Sequence, residues 1–423
     1  MTRALPTLEV ASNEEGRAGM VQESSIGATL RALRDERGLT QEGLADAASL
    51  HVNTVRKVEQ GGTASMETYH RLARSLGVTT ARLVAGQPSR KQVHGDEDKT
   101  SLLSLRRAIA PPVGIDGRAI NLGEEPNLGD LREAAAAFAT SYRADRYQDL
   151  AAFVPNLVTS AHAAVEHYKH TPQQVLAHQA RSEILQLAGR YLTQIRAYDL
   201  AQVALTDAVR DAAAAEDRLN SSAAVIGQAW VLLRQGRLDE AEELSTVTAD
   251  QVEPRMSMAS DEELAVWGWL LLRASAAAAR NNRPDEAREA IRLARSAGAA
   301  LADEVAHRLR GWVSFGPITV ELKAIENEAI ADRPDRVLAM SSPLTQGSCT
   351  SDNWNRHLLD VAQAHARLGD DAAAARILAE LAATSPQWLS HQRIAEETFS
   401  AIRRRRKRAL TADQRKIAAL FSG

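Results

Sequence analysis

The stretch GLTQEGLADAASLHVNTVRKVEQG, residues 38–61, decides how the first part of this chain folds. Thr40 is a good N-cap for the helix that follows it, because its hydroxyl can accept a hydrogen bond from a free amide group of the first turn. A turn follows at residues 48–50, and a second helix runs over about residues 51–60 before two glycines end it. The stretch therefore predicts two short helices joined by a tight turn.

The second of these helices separates apolar from polar side chains. Val55 and Val58 share one face at helical spacing, and we expect both to be buried. The opposite face carries Val52, Asn53, Arg56, Lys57 and Gln60. Two short helices, of which the second exposes polar side chains, form a helix-turn-helix, and the second helix fits the major groove of DNA.

Several of these polar side chains suit the edges of base pairs. Asn53 matches the donor and acceptor pattern of adenine, and Arg56 or Lys57 matches that of guanine. Gln41 lies at the amide end of the preceding helix, where a phosphate group is well placed. We therefore expect double-stranded DNA as a partner.

Flanking residues complete a five-helix bundle. An earlier helix places Ile26, Leu30 and Leu33 on one face. Further helices are predicted over residues 65–76 and 80–85. One such unit makes few base contacts, so a homodimer that reads two half-sites is expected.

The bundle resembles the DNA-binding domains of the phage-repressor family (Cro/C1, or xenobiotic-response-element, type). Residues 38–45, 54–61 and 72–78 carry the resemblance. It implies that Gln41 and His51 contact phosphate. It also implies that four side chains face bases, namely Val52, Asn53, Arg56 and Lys57.

The same resemblance assigns a structural role to one ion pair, and the chain departs from the family pattern at one residue of the turn. Arg34 and Glu59 occupy the positions of a structural ion pair in phage repressors. The turn usually carries glycine, and Ser49 stands there in this chain. A left-handed conformation at a residue other than glycine costs about 1 kcal/mol, so the turn is expected to be slightly strained.

The composition points to an all-α fold. Hydrophobic residues make up 44% of the chain and aromatic residues 4%, and alanine supplies much of the apolar share. The net charge of −3 gives no global nucleic-acid signature, so a basic surface must be local. With Cys349 as the single cysteine and no apolar run near the ~20 residues that a bilayer needs, a cytoplasmic protein is expected.

The chain divides into five parts by composition and periodicity. These are a flexible tail (1–24), the helix-turn-helix domain (25–86), a linker with one helix over residues 99–109 (87–127), a helical repeat domain (128–408) and a C-terminal helix and tail (409–423). Met20 remains a possible alternative start.

A weak motif recurs through the repeat domain. Its anchoring positions are Leu150, Ala201, Ala241, Ala287, Val337 and Ala374. Helix pairs that recur at such intervals indicate an α-solenoid. Residues 229–241 resemble a tetratricopeptide repeat most closely. The fold expected is therefore all-α, a helix-turn-helix bundle followed by a tetratricopeptide-like solenoid.

This combination resembles a set of actinobacterial transcription regulators and, in architecture alone, the peptide-pheromone receptors of Gram-positive bacteria. The resemblance suggests a solenoid that dimerises and senses a small molecule or peptide. Residues near a Gly-Pro break or in a polar cluster are the candidates for ligand contact: Trp312, Phe315, Thr319, Asn355 and Arg356. A DNA-addressed protein scaffold and a constitutive repressor with a solenoid that only dimerises remain alternatives.

Other sequence features do not indicate a catalytic or metal-binding site. His162, Glu166, His167 and His170 crowd one helix, but no supporting ligand framework accompanies them. No metal, cofactor or catalytic activity is expected. The basic run at residues 403–408 is either a solvated helix end or an auxiliary phosphate clamp.

Overall fold

A computed structural model of the 423-residue chain describes residues 26–84, 102–115, 119, 126–301, 314–347, 349–405 and 409–421. The predicted tail with Met20, Trp312 and residues 406–408 lie outside the described residues. The described part contains 21 α-helices and one isolated β-bridge, which confirms the all-α prediction. None of its helices combines the length and apolar character needed to cross a bilayer.

Five short helices form the N-terminal bundle. They are α1 (Ile26–Glu36), α2 (Gln41–Ala47), α3 (Val52–Glu59), α4 (Met66–Leu76) and α5 (Thr80–Val84). Leu30, Leu44, Leu72 and Leu76 fill its core and are inaccessible to water. The predicted inward positions of the quoted stretch are therefore confirmed.

The remaining helices are mostly arranged in antiparallel pairs. After α6 (Leu103–Ile109), the pairs in the described chain are α7 (Leu128–Arg143) with α8 (Tyr147–His167), α9 (Gln174–Gln194) with α10 (Tyr198–Ala214), α11 (Arg218–Gln235) with α12 (Leu238–Val252), α13 (Asp261–Arg280) with α14 (Pro284–Leu301), α15 (Pro317–Ile330) with α16 (Pro334–Ser341), and α17 (Ser351–Arg367) with α18 (Asp371–Thr384). Three helices follow, α19 (Pro386–Ser390), α20 (Arg393–Arg405) and α21 (Ala412–Leu420).

Each pair turns through one residue in the left-handed conformation. These residues are Asp145, Arg196, Gly236, Asn282, Asp332 and Gly369. In each turn the next amide donates to a carbonyl five residues back, as Arg283 does to Ala278 at 2.9 Å, so the last carbonyls of the first helix are satisfied. All six anchoring positions predicted from the repeat pattern are buried.

The first helices of successive pairs pack side by side along the array. Glycines allow close approach both within a pair, between α9 and α10, and between α13 and the segment that leads into α15. A Cβ atom on Gly189 would lie 2.5 Å from Cγ of Leu205, and one on Gly268 would lie 2.0 Å from Cζ of Phe315. Neither position has room for a larger side chain.

Two segments outside the predicted repeat domain belong to its core. Leu105 and Ile109 of α6, within the predicted linker, are buried in the same cluster as α8 and α9. Ile417 of α21, within the predicted C-terminal tail, is also fully buried there. Their apolar faces need a partner, and the repeats provide it.

Candidate nucleic-acid interface

Local hydrogen bonds shape the turn between α2 and α3. Oγ1 of Thr40 accepts from the amide of Gly43 at 3.0 Å, which confirms the predicted N-cap. Ser49 adopts φ 51°, so the expected left-handed residue is present without glycine. Nη2 of Arg71 on α4 donates to the carbonyl of Ser49 at 2.6 Å, and this contact across the bundle holds the turn.

Helix α3 presents a row of polar side chains to solvent. Val55 and Val58 are buried beneath it, while Asn53, Arg56, Lys57 and Gln60 are exposed. Val52 is half-buried and packs against the bundle core. The row lies on one face of a helix whose opposite face is anchored, which is the arrangement that insertion into a groove requires.

Two members of this row contact each other. Nη1 of Arg56 donates to Oδ1 of Asn53 at 3.3 Å, and Nη2 of Arg56 lies 3.7 Å from a carboxylate oxygen of Glu42. Both contacts are exposed, so a competing base edge can replace them at little cost. Nδ1 of His51, the N-cap of α3, accepts from the amide of Asn53 at 3.2 Å.

Beneath the row lies the ion pair that the phage-repressor resemblance implies. Nε of Arg34 donates to Glu59 at 2.6 Å, and Nη1 donates to the carbonyl of Leu39 at 2.7 Å. Burial would raise the pKa of Glu59, but hydrogen bonds from Arg34 and Gln41 more than offset it, so the pKa is lowered. The pair fixes α3 relative to α1.

Gln41 departs from its expected role. Nε2 of Gln41 donates to Glu59 at 2.7 Å, so its side-chain amide completes the buried ion-pair network. A phosphate at this helix end would have to use the main-chain amides or displace that bond. Local sequence patterns do not predict this contact, because the partners are eighteen positions apart.

The predicted ligand residues separate into two groups. Phe315 and Thr319 are inaccessible to water, and Asn355 is buried with its Nδ2 donating to Ser385 at 3.0 Å. These three side chains pack between helices and do not line the cavity described below, whereas Arg356 does line it. Pro317 is the first residue of α15, a position that favours proline. The Gly-Pro break therefore marks the start of a helix and does not open a pocket.

The bundle is held against the repeats by contacts that the sequence did not suggest. The carbonyl of Arg280 accepts from Oγ1 of Thr80 at 2.6 Å and from Nδ1 of His70 at 2.7 Å. Arg74 donates to the carbonyl of Ala331 at 2.6 Å and lies 3.3 Å from the carboxylate of Asp332. The bundle thus rests on the turns of successive helix pairs.

The histidines of α8 do not converge. His162 is buried, with Nδ1 3.4 Å from Nη1 of Arg181, whereas the ring of His167 packs edge-on against Tyr168. Across the described residues, no group of three His, Cys, Asp or Glu side chains is arranged to hold a metal ion.

Part of the basic run is engaged within the fold. Nε of Arg405 lies 3.2 Å from Asp371, and its Nη2 donates to the carbonyl of Ala366 at 2.9 Å. Arg403 and Arg404 are exposed. Arg405 therefore joins α20 to the C-terminal end of α17.

Comparison with known proteins agrees with the N-terminal geometry. Residues 25–85 match a family model described as a helix-turn-helix domain. No curated protein matches the chain. The chain therefore carries a helix-turn-helix DNA-binding domain followed by a helical region.

Proposed function

We propose that this protein is a sequence-specific transcription regulator that acts as a homodimer and whose repeat domain controls DNA binding. The observation that carries the proposal is the exposed polar row of α3, held by a buried ion pair and a closed turn. Asn53 can pair with adenine, and Arg56 can pair with guanine. Lys57 and Gln60 extend the contact along the groove.

The remainder of the bundle supports this orientation. His51 is exposed at the start of α3, next to main-chain amides that suit a phosphate oxygen. A single α3 reads only a few base pairs. Two copies on half-sites roughly 34 Å apart would provide the affinity and symmetry of a regulator.

A tetratricopeptide-like solenoid is suited to control DNA binding by the bundle. Six helix pairs within the described chain leave an extended inner surface, and the bundle is bound to the turns of that array. A ligand that prefers one arrangement of the repeats would change the position of the bundle. The relation to the actinobacterial regulators noted above is part of the same proposal.

Selection from a random duplex library tests the DNA-binding part. The full chain should enrich one motif with two related half-sites, and Arg56→Ala should change the enriched motif. Arg292→Ala, at an exposed position of α14, serves as a matched control and should leave it unchanged. Enrichment of no motif at modest salt would overturn the proposal.

A further inference from the structure

A large cavity follows the inner surface of the repeats. Its volume is about 2650 Å³, and α9, α11, α13, α15 and α17 line it in succession. Asn53, Lys57, Met66 and His70 of the DNA-binding bundle form part of its wall, so two residues of the polar row of α3 border it. The cavity is thus shared between the two parts of the protein.

The charge of this surface is opposite in sign to that of the chain. Thirteen arginine and lysine residues line it against eight aspartate and glutamate residues, counted over the part of the chain that the structure describes. The excess of five positive charges compares with a net charge of −3 for the whole sequence. A low-dielectric wall that concentrates one sign of charge attracts ligands of the other sign.

The cations come from each repeat in turn. Every first helix from α9 to α17 contributes at least one cation. Arg280 of α13 and Arg367 of α17 add to a set with one member per helix: Arg190, Arg234, Arg273, Lys323 and Arg356. Four of these five are arginines. The planar guanidinium group binds the two oxygens of a phosphate or carboxylate at once, so the set suits oxyanions.

Carboxylates neutralise one part of this set. Glu326 contacts Arg280, lies 3.1 Å from Nζ of Lys323 and 3.6 Å from Nη2 of Arg356. Asp360 lies 2.8 Å from Nη1 of Arg356. One wall of the cavity is therefore an ion network in which two carboxylates face three cations.

Arg234 and Arg273 face the cavity differently. The guanidinium of Arg273 lies 5.4 Å from the ring centre of Trp230 and 5.0 Å from that of Trp269. Arg234 lies 5.9 Å from the ring centre of Trp230. Within the described residues, neither arginine has a carboxylate within ion-pair distance, and Nε of Arg273 is buried without a hydrogen-bond partner.

The environment of Arg273 is costly in the absence of an anion. Burial, followed by repulsion from Arg190, lowers the pKa of Arg273 to about 9, so the group is still charged at neutral pH. Arg273 is half-buried, and a charge that loses part of its hydration without gaining a carboxylate partner destabilises a protein. A bound anion would remove that penalty and satisfy the orphaned donor.

We propose that the cavity binds a small organic anion carrying two or more phosphate or carboxylate groups, with Arg234 and Arg273 as its principal contacts. Its regulatory meaning rests on the proposed function, because the anion would then be the effector. Arg280 connects the two parts: its guanidinium contacts Glu326 in the cavity while its carbonyl binds Thr80.

Calorimetric titration of the full chain with pyrophosphate and with citrate, at constant ionic strength and without divalent metal, tests the site. At least one probe should bind saturably, and the stronger probe distinguishes phosphate from carboxylate chemistry. Arg273→Gln and Arg234→Gln should each raise Kd about tenfold or more. Arg288→Gln, on an exposed face of α14, should not change Kd.

Thermal unfolding of each variant shows that it is folded, and Arg234→Gln is the safer change because Arg234 is open to the cavity. No saturable binding of either probe would overturn the proposal. The proposal would also be overturned if Kd were unchanged in both Arg234→Gln and Arg273→Gln. An equal loss of affinity in the control variant Arg288→Gln would have the same consequence. Binding of a hexaglutamate peptide with no binding of either small anion would assign the cavity to acidic peptides instead.

The two proposals fail separately. Anion binding is measured without DNA, so it survives if the chain turns out to bind no duplex. Arg56→Ala should leave pyrophosphate or citrate binding intact while it changes DNA selection. A chain that selects a DNA motif but binds neither probe would retain the proposed function and lose the anion site.

Discussion

The hydroxyl of Thr80 donates a hydrogen bond to the main-chain carbonyl of Arg280 at 2.6 Å, across 200 positions of sequence. His70 donates to the same carbonyl, so its Nδ1 must be the protonated nitrogen of the neutral ring. The guanidinium of Arg280 contacts Glu326 inside the cavity. A single residue therefore joins the DNA-binding bundle to the charged groups of the repeats.

Replacing Thr80 should loosen this junction. Thr80→Val removes the donor and keeps the side-chain shape, and we expect docking of the bundle to weaken by about 1 kcal/mol. Hydrogen exchange of the α4 and α5 amides should speed up accordingly. Thr384→Val, at an exposed helix end, is the control, and equal exchange rates in both variants would contradict the expectation.

The docking should also depend on pH through His70. Burial lowers the pKa of His70 to about 4, against the ordinary value of 6.5, and nearby Arg74 acts in the same direction. Because the docked form favours the neutral ring, docking is complete above pH 6.5 and weakens as the pH falls from 6.5 toward 4. The ring signal of His70 in an NMR titration measures this directly.

His70→Gln supplies the assignment and the control for that titration. The variant should lose both the signal and the part of the pH dependence that this histidine causes. If His70 titrated near 6.5 in the full chain, its burial at the junction would be wrong.

The reading face of α3 should respond to single substitutions. Asn53→Ala and Arg56→Ala should each cost about 1–3 kcal/mol in binding to the selected site and relax preference at one base pair. Binding isotherms on matched and mismatched duplexes measure this. A variant that loses helical signal instead of affinity would place its residue among the structural ones.

Glu59 should behave as a structural residue. Glu59→Gln removes the buried counter-ion of Arg34 and leaves only the exposed carboxylate of Asp35, 2.6 Å from Nη1, so we expect the bundle to lose about 1–3 kcal/mol of stability. The charge network contributes above the ordinary pKa of glutamate and is lost as the pH falls through the lowered value. Thermal unfolding at neutral pH checks this, and an unchanged melting temperature would refute it.

Gly268 should tolerate no side chain. Gly268→Ala places a Cβ atom 2.0 Å from the ring of Phe315, and overpacking of this kind costs about 1–3 kcal/mol. Denaturant unfolding measures the loss. Phe315→Leu in the same background should restore part of it, and additive losses would show that the two residues do not share the contact.

Signals within a few residues were enough to predict much of the DNA-binding unit. Thr40 as a cap, Ser49 in the left-handed region and the buried pair of Val55 and Val58 all depend on neighbours one to four positions away. The repeat anchors follow from the same local periodicity. This periodicity marks the face of each helix that will be buried, but it does not identify the residues that pack against that face.

The helices, their buried faces and the turn before α3 follow from local signals, because capping, backbone conformation and helical spacing involve residues that are neighbours in the chain. Three long-range contacts emerge only in the folded molecule: Gln41 joins an ion pair, Phe315 packs against Gly268, and Arg234 and Arg273 meet two tryptophans in one cavity. Periodicity shows which face of a helix is covered. It carries no information on which distant residue covers it, since that depends on how successive pairs stack.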